Sequence, residues 1–400
     1  MKVMLTVLTM SEYFGTAITT LEQGRALSEQ GWDVSIFTLE VLPPLDGLIP
    51  AGFHVYTLDN IDQSPKSYDL IIARQRPLLD YLLFSARIQA PKVYYECVGY
   101  KVPVDFPPTY YESLSLMGTV STYAKTQLVS RGYKEGTIAV IPNSAPKGYF
   151  ELNPHISPRA TPRNIAVISN HMPAEIEELP AIAESHGVNV SLIGLGHEYQ
   201  LVTPELLVGF DLIVTIGKTA YYAIAAGIPV YCYDENVSSG YVNLDTFGDS
   251  LAANFAIKEP YSELNSAALF ASITTGYEKC LNDAPALREL AGEMFSQEAI
   301  LTSLLSQIEH GPEVDYEKLY SNNPAAAEIS RTYCEDLAFW RSEARRWYEK
   351  SLELGSLYQT ASEEFKAASE ELSAVYASRG WKAISRARTL ADQMRGKPRS

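Results

Sequence analysis

Cysteine is scarce in this 400-residue chain: four, at positions 97, 232, 280 and 334. They are too far apart for a C-x-x-C pair and too few for a disulfide framework, so a reducing compartment is the expectation. Positive charge is also in deficit. The 32 Lys and Arg face 48 Asp and Glu, a net charge of −16, which argues against a chain-wide electrostatic footprint for nucleic acid. No stretch approaches the ~20 consecutive apolar residues that span a bilayer. The opening MKVMLTVLTMSEYFG carries one lysine before a short apolar run but no clear small-residue cleavage site. It reads as a first buried strand instead of a signal peptide. The protein is therefore expected to be cytoplasmic, with any membrane contact peripheral.

Several sources of chemistry are missing too. The string Gly217-Lys218-Thr219 would complete a phosphate-binding P-loop only with glycine at 212, where Leu212 stands. Gly194 and Gly196 begin a G-x-G-x-x-G pattern, but Tyr199 occupies the third position, which leaves a dinucleotide fingerprint weak. There is no G-x-S-x-G elbow and no His/Cys cluster at metal-ligand spacing, so neither a hydrolase triad nor a zinc site has support.

What is present is alternation. With 46% hydrophobic residues, the chain can bury a sizeable core and has the length of two or three domains. Val3–Thr9 is a strand candidate, followed by a helical stretch with Ala17, Leu21 and Leu27 on one face and Gly31 as its stop. Further strand candidates follow at Asp33–Thr38, Phe53–Leu58, Asp69–Ala73, Lys92–Cys97, Met117–Ser121 and Thr137–Ile141. Repeated strand–helix alternation predicts an α/β fold with a doubly wound parallel sheet. The Pro-rich stretch 153–163 suits a linker, after which Ile165–Ser169, Val188–Ile193, Leu212–Ile216 and Val230–Tyr233 form a second strand series. Helices are expected at Glu175–Ser185 and Tyr221–Ala226. The expected organisation is two Rossmann-like domains, 1–152 and 164–312, a second linker at 313–336 and a different kind of segment beyond.

From Leu337 the alternate 3–4 positions 337, 340, 344, 347, 351, 354, 358, 361, 365, 368, 372 and 375 read Leu, Trp, Ala, Trp, Ser, Leu, Tyr, Ala, Phe, Ala, Leu, Val. This heptad seam predicts a coiled-coil helix over 337–378 that pairs with a second copy or with its own body. Gly380 interrupts it. The segment 379–400 then carries seven Lys/Arg against Asp392, and suits either an anionic membrane surface or a solvated basic tail.

Ligands of doubly wound sheets bind at strand C-terminal ends. Gly217, Lys218 and Thr219 fall between such a strand and a helix start, where N–H groups and a lysine attract phosphate; a plain capped turn fits the same residues. Ser169, Asn170 and His171 follow another strand, with His171 a candidate hydrogen-bond donor to a phosphate or proton carrier, or only a polar loop residue. Glu96, at a strand end, is a candidate general base, against a reading as a surface carboxylate. Asp234, Glu235 and Asn236 follow another strand end and are candidate hydrogen-bond acceptors for a ligand, with Ser238, Ser239 and Gly240 beside them, unless the segment is a generic polar turn. Gly15 permits close backbone approach at the cleft, and Arg74 and Arg76 can hold an anionic acceptor or be solvated surface residues.

Ile141-Pro142-Asn143-Ser144 with Tyr149-Phe150 resembles the I-P-N-G-V-D…F segment closing the first domain of many nucleotide-sugar glycosyltransferases of the GT-B fold. Phe210–Asp234 resembles their donor-site strand, helix and A-x-G-x-P-V turn, Leu21–Thr38 their first helix and second strand, and Met294–Glu309 their closing helix. The resemblance covers about residues 1–310. It implies transfer of a sugar from a nucleoside-diphosphate sugar to a glycan or lipid-linked acceptor, without an essential metal. The retaining, family-four-like bacterial members carry Glu-x7-Glu, whereas Val214 and Tyr222 stand at those positions here, so stereochemistry is not implied. A non-catalytic scaffold and a nucleotide-sugar epimerase are the alternative readings.

Overall fold

The computed structural model describes residues 1–152, 154, 160–170, 172–234, 237–256 and 262–377. His171, Glu235, Asn236 and the basic segment 379–400 lie outside the described residues. The chain divides into two compact units, Met1–Glu335 and a second beginning at Asp336.

Strands β1 (Lys2–Thr6), β2 (Asp33–Phe37), β3 (His54–Tyr56), β4 (Leu70–Ala73), β5 (Lys92–Cys97), β6 (Leu116–Thr119) and β7 (Ile138–Val140) form a seven-stranded sheet in the order 3-2-1-4-5-6-7. Every pairing is parallel. A parallel sheet covered on both faces requires apolar residues without alternation, and β4, Leu-Ile-Ile-Ala, is buried at all four positions. Helix α1 (Gly15–Glu29) buries Ala17, Leu21 and Leu27 as the spacing predicts. Gly31, at φ +85°, takes the left-handed conformation that ends it.

The second sheet contains β8 (Asn164–Ile168), β9 (Asn189–Ile193), β10 (Leu212–Thr215), β11 (Val230–Asp234), β12 (Val237–Tyr241) and β13 (Ser262–Glu263), in the order 13-12-11-10-8-9. The first four are parallel; β12 and β13 are antiparallel additions. This corrects the polar-turn reading of Ser238, Ser239 and Gly240, which form the middle of β12. Tyr241 packs edge-on against Tyr231 at 5.0 Å, and Ser238 Oγ donates to Cys232 O at 3.0 Å. The helix expected over Glu175–Ser185 is instead two short helices, Ala174–Glu177 and Leu179–Glu184. Pro180 has no N–H to continue the first, but suits the opening turn of the second.

Helices α2 (Lys218–Ala225) and α3 (Tyr277–Phe295) cover the second sheet, and α4 (Gln297–His310) leaves it. Leu301, Leu304 and Ile308 of α4 join the core formed by Val3, Leu5 and Tyr94 of the first sheet. The outgoing and returning crossings lie side by side: Ala145 donates to Phe295 O, and Gln297 donates to Ala145 O, both at 3.0 Å.

The segment 313–336 is not a linker. Helix α5 (Tyr316–Asn322) and the start of α6 (Ala326–Ala377) place Leu319 and Cys334 in the first domain's core, and Tyr316 Oη donates to Ala90 O at 2.8 Å. The long helix thus begins eleven residues earlier than the seam alone predicts, because its first turns bury a face before the heptad pattern starts.

All four cysteines are free and buried, and burial pushes each thiol up to about 12. The thiolate is the reactive form, so a maleimide at neutral pH should leave the native protein unlabelled and modify four residues in denaturant, as counted by mass spectrometry. Leu304→Ala should lower stability by about 2–5 kcal/mol in urea unfolding, the range for a buried leucine whose cavity fills poorly.

Candidate active site

A cavity of about 260 Å³ lies between the two sheets of the first unit. Tyr13, Phe14, Gly15 and Ile18 line it from the first domain, and Ser169, Asn170, Gly194, Tyr199, Lys218, Thr219 and Tyr222 from the second. Each group follows from local structure. The apolar strand β10 ends in Gly217, whose φ of +58° and ψ of −135° turn the chain into α2, a conformation that disfavours side chains. The first N–H groups of a helix have no partner within it, and those of α2 begin at Lys218. Helix α1 starts at Gly15 on the opposite wall. A Cβ built at Gly15 lies 4.0 Å from Lys218 Cβ, so the two helix N-termini converge on one space. At the end of β9, a Cβ at Gly194 would fall 1.7 Å from Ser169 O. Only glycine lets the ends of β8 and β9 approach this closely. The G-x-G string thus has a packing cause here.

The two walls are tied together by polar contacts that no local pattern announces. Lys218 Nζ is 2.7 Å from Glu22 Oε2 on α1, donates to Ser144 O at 3.3 Å and lies 5.1 Å from the centre of the Tyr222 ring. Tyr222 Oη donates to the other oxygen of Glu22 at 2.5 Å, and its ring stacks on Tyr149 at 4.2 Å with 2° between planes. Burial, reinforced by the Glu22 carboxylate, holds the Tyr222 phenol well above its ordinary pKa, so it remains a donor. Towards the cavity mouth the Tyr13 N–H donates to Tyr199 Oη at 2.7 Å, with the rings 5.0 Å apart.

The structure brings Gly15, Ser169, Asn170, Lys218 and Thr219 to this cavity, with Gly217 at its edge. It does not bring Arg74, Arg76 or Glu96 there. Arg74 is fully buried; it donates to Thr20 Oγ1 at 3.1 Å and Gln23 Oε1 at 2.8 Å, and its guanidinium pairs with Glu96 at 2.5 Å. These two charges staple α1 to β4 and β5 beside a separate cavity of about 30 Å³. Arg74 is therefore not an acceptor-holding residue, and the Glu96 carboxylate is committed to a structural ion pair. Arg76 Nε turns to Asp80 Oδ2, 3.1 Å away and one helical turn on. Asp234, Ser238, Ser239 and Gly240 belong to the β11–β12 hairpin and do not line the cavity.

Glu22, Tyr13, Tyr199 and Tyr149 were not legible as site residues. Glu22 occupies an ordinary polar position on an amphipathic helix, and its partners are some 200 positions away in the chain.

No protein-family profile matches the chain, and no curated protein matches it by sequence. Solved structures do match. The Anabaena protein Alr3699/HepE, in complex with UDP and glucose, aligns with a TM-score of 0.54 and 16% identity over 77% of this chain and 99% of its own. WaaG, a glycosyltransferase involved in lipopolysaccharide biosynthesis, aligns with a TM-score of 0.50 and 14% identity over 77% of this chain and all of its own (100%). The fold is that of the GT-B glycosyltransferases: two Rossmann-like domains with a cleft between them, here followed by a long C-terminal helix.

Removing one partner of a buried ion pair leaves the other uncompensated, typically at a cost of about 3–5 kcal/mol. Glu96→Gln should therefore lower the urea midpoint substantially; an unchanged midpoint would return Glu96 to the list of chemical groups.

Proposed function

We propose that this protein is a glycosyltransferase that moves a sugar from a nucleoside-diphosphate sugar to a surface glycan or a glycolipid. One observation carries the reading: two helix N-termini, from opposite domains, converge on a single cavity with Lys218 between them. Aligned peptide dipoles and unpaired N–H groups favour negative charge at such a place, and a diphosphate supplies it. The likeness to HepE, whose structures hold UDP, UDP-glucose, or UDP and glucose, agrees with this choice of anion.

In the transfer, the bond between the sugar's anomeric carbon and the diphosphate oxygen breaks, and the diphosphate leaves with the electron pair. The acceptor hydroxyl forms the new bond, and its proton passes to solvent or to the departing diphosphate, which carries the negative charge. Charge grows on the leaving oxygens, so donors fixed in advance around them lower the barrier. Lys218 is the charged member of that set. Its ammonium is held by Glu22 and Ser144 O, and diphosphate entry offers it a stronger anion within reach. Thr219 and the α2 N–H groups cover the same oxygens, Gly15 leaves room for them, and Ser169 and Asn170 face the nucleotide. Because Lys218 and the helix termini supply the positive charge, the proposal includes no metal, and chelator should leave turnover unchanged. Contact of 379–400 with anionic lipid is part of the same proposal for a lipid-linked acceptor, read by liposome flotation. No described helix is long and apolar enough to cross a membrane.

A thermal-shift panel of UDP, GDP, CDP, dTDP and their sugar conjugates tests the reading. Ligand at 100 times its Kd should stabilise the protein by about 2.7 kcal/mol. One nucleotide should shift the melting temperature selectively, and Lys218→Ala, which leaves Glu22 with Tyr222 alone and so lowers the unliganded melting temperature, should abolish that shift. Binding without turnover would favour the scaffold, conversion of the donor alone the epimerase, and the absence of any shift would remove the donor site.

A further inference from the structure

We infer that the long helix pairs with a second copy of this chain in an antiparallel coiled coil centred on Ser356. Helix α6 runs for 52 residues. The large seam side chains Trp340, Trp347, Leu354, Tyr358, Phe365 and Leu372 are 53–77% exposed. So continuous an apolar stripe calls for a partner, and the order of residues along it says which.

Reflected about position 356, the seam matches itself in size. Ala344 falls opposite Ala368 and Ser351 opposite Ala361, both small on small. Trp340 meets Leu372, Trp347 meets Phe365, and Leu354 meets Tyr358, all large on large. In an antiparallel pair each core layer joins an a position to a d position of the other strand, and these five pairs obey that rule.

Charge selects the direction. Around 341–350, Arg341, Arg345, Arg346 and Lys350 outnumber Glu343 and Glu349. Around 353–371, Glu353, Glu363, Glu364, Glu370 and Glu371 outnumber Lys366. The antiparallel register lays 341–350 alongside 362–371, positive block on negative block, with Lys350 flanking Glu364. Glu343 flanks Glu371 in that register, a like pair set among the three arginines. A parallel register lays each block on itself. The acidic half likewise disfavours an anionic lipid surface as the covering partner.

The test uses full-length Ala344→Cys and Ala368→Cys variants with a short bis-maleimide. The native thiols are buried, so they do not compete. In the inferred dimer the two copies of position 344 are about 36 Å apart at 1.5 Å per residue, beyond the reagent's reach, whereas 344 and 368 are in one layer. Neither variant alone should cross-link, and an equimolar mixture after subunit exchange should. Cross-linking of either variant by itself would overturn the antiparallel register, and a monomeric mass by light scattering for the unmodified protein would overturn the pairing. Trp347→Glu should reduce a dimeric mass to that of the monomer; a dimer that survives it would place the interface elsewhere. None of these readouts depends on nucleotide binding, so the inference and the proposed function stand or fall separately.

Discussion

The site exists because the chain crosses between its two sheets twice at one place. At Ala145 it leaves the first domain, at Ser296 it returns, and the two strands of backbone exchange a pair of hydrogen bonds as they pass. The return is anchored by Leu301, Leu304 and Ile308 in the first domain's core. Everything that faces across the cleft depends on that double tether. It sets Ser144 O beside Lys218 and brings α1 opposite α2. The walls are then closed by contacts that neither domain makes alone: Glu22 with Lys218 and Tyr222, and Tyr13 with Tyr199.

Charge is distributed with the same economy. Two nearby carboxylate–cation pairs bridge α1 to other elements, and their surroundings give them different work. Arg74 and Glu96 lie beneath the cleft, with the guanidinium also fixed by Thr20 and Gln23. That pair has no freedom and serves as a fastening. Glu22 and Lys218 lie at the cavity wall, where Lys218 has three weaker attachments and an open side.

Strand positions were legible because parallel strands covered on both faces demand apolar runs, as in Leu70–Ala73 and Leu212–Thr215. Glycines with structural work to do, Gly31 and Gly217, were legible for the same local reason. The β11–β12 hairpin was not, since Val237–Tyr241 is short, polar and without a strong turn signal, and is held as a strand by Tyr231 and Cys232 across the sheet. Nor were Arg74 and Glu96 as partners: an arginine and a glutamate at successive strand ends resemble cleft residues until three-dimensional packing covers them. The segment 313–336 gave no strong helical period, yet Val314, Leu319 and Cys334 enter the first domain's core, with Tyr316, Tyr320, Ala326 and Ala327 packed against it.

The Glu22 contact has a consequence for inheritance. Each half of the fold carries its own core. Here the acid resides in one half and the lysine and phenol that satisfy it in the other. A chimera that kept residues 1–144 and took its second half from a relative lacking both partners would strand a carboxylate at the seam. The acid in one half and the lysine and phenol in the other are therefore a matched set.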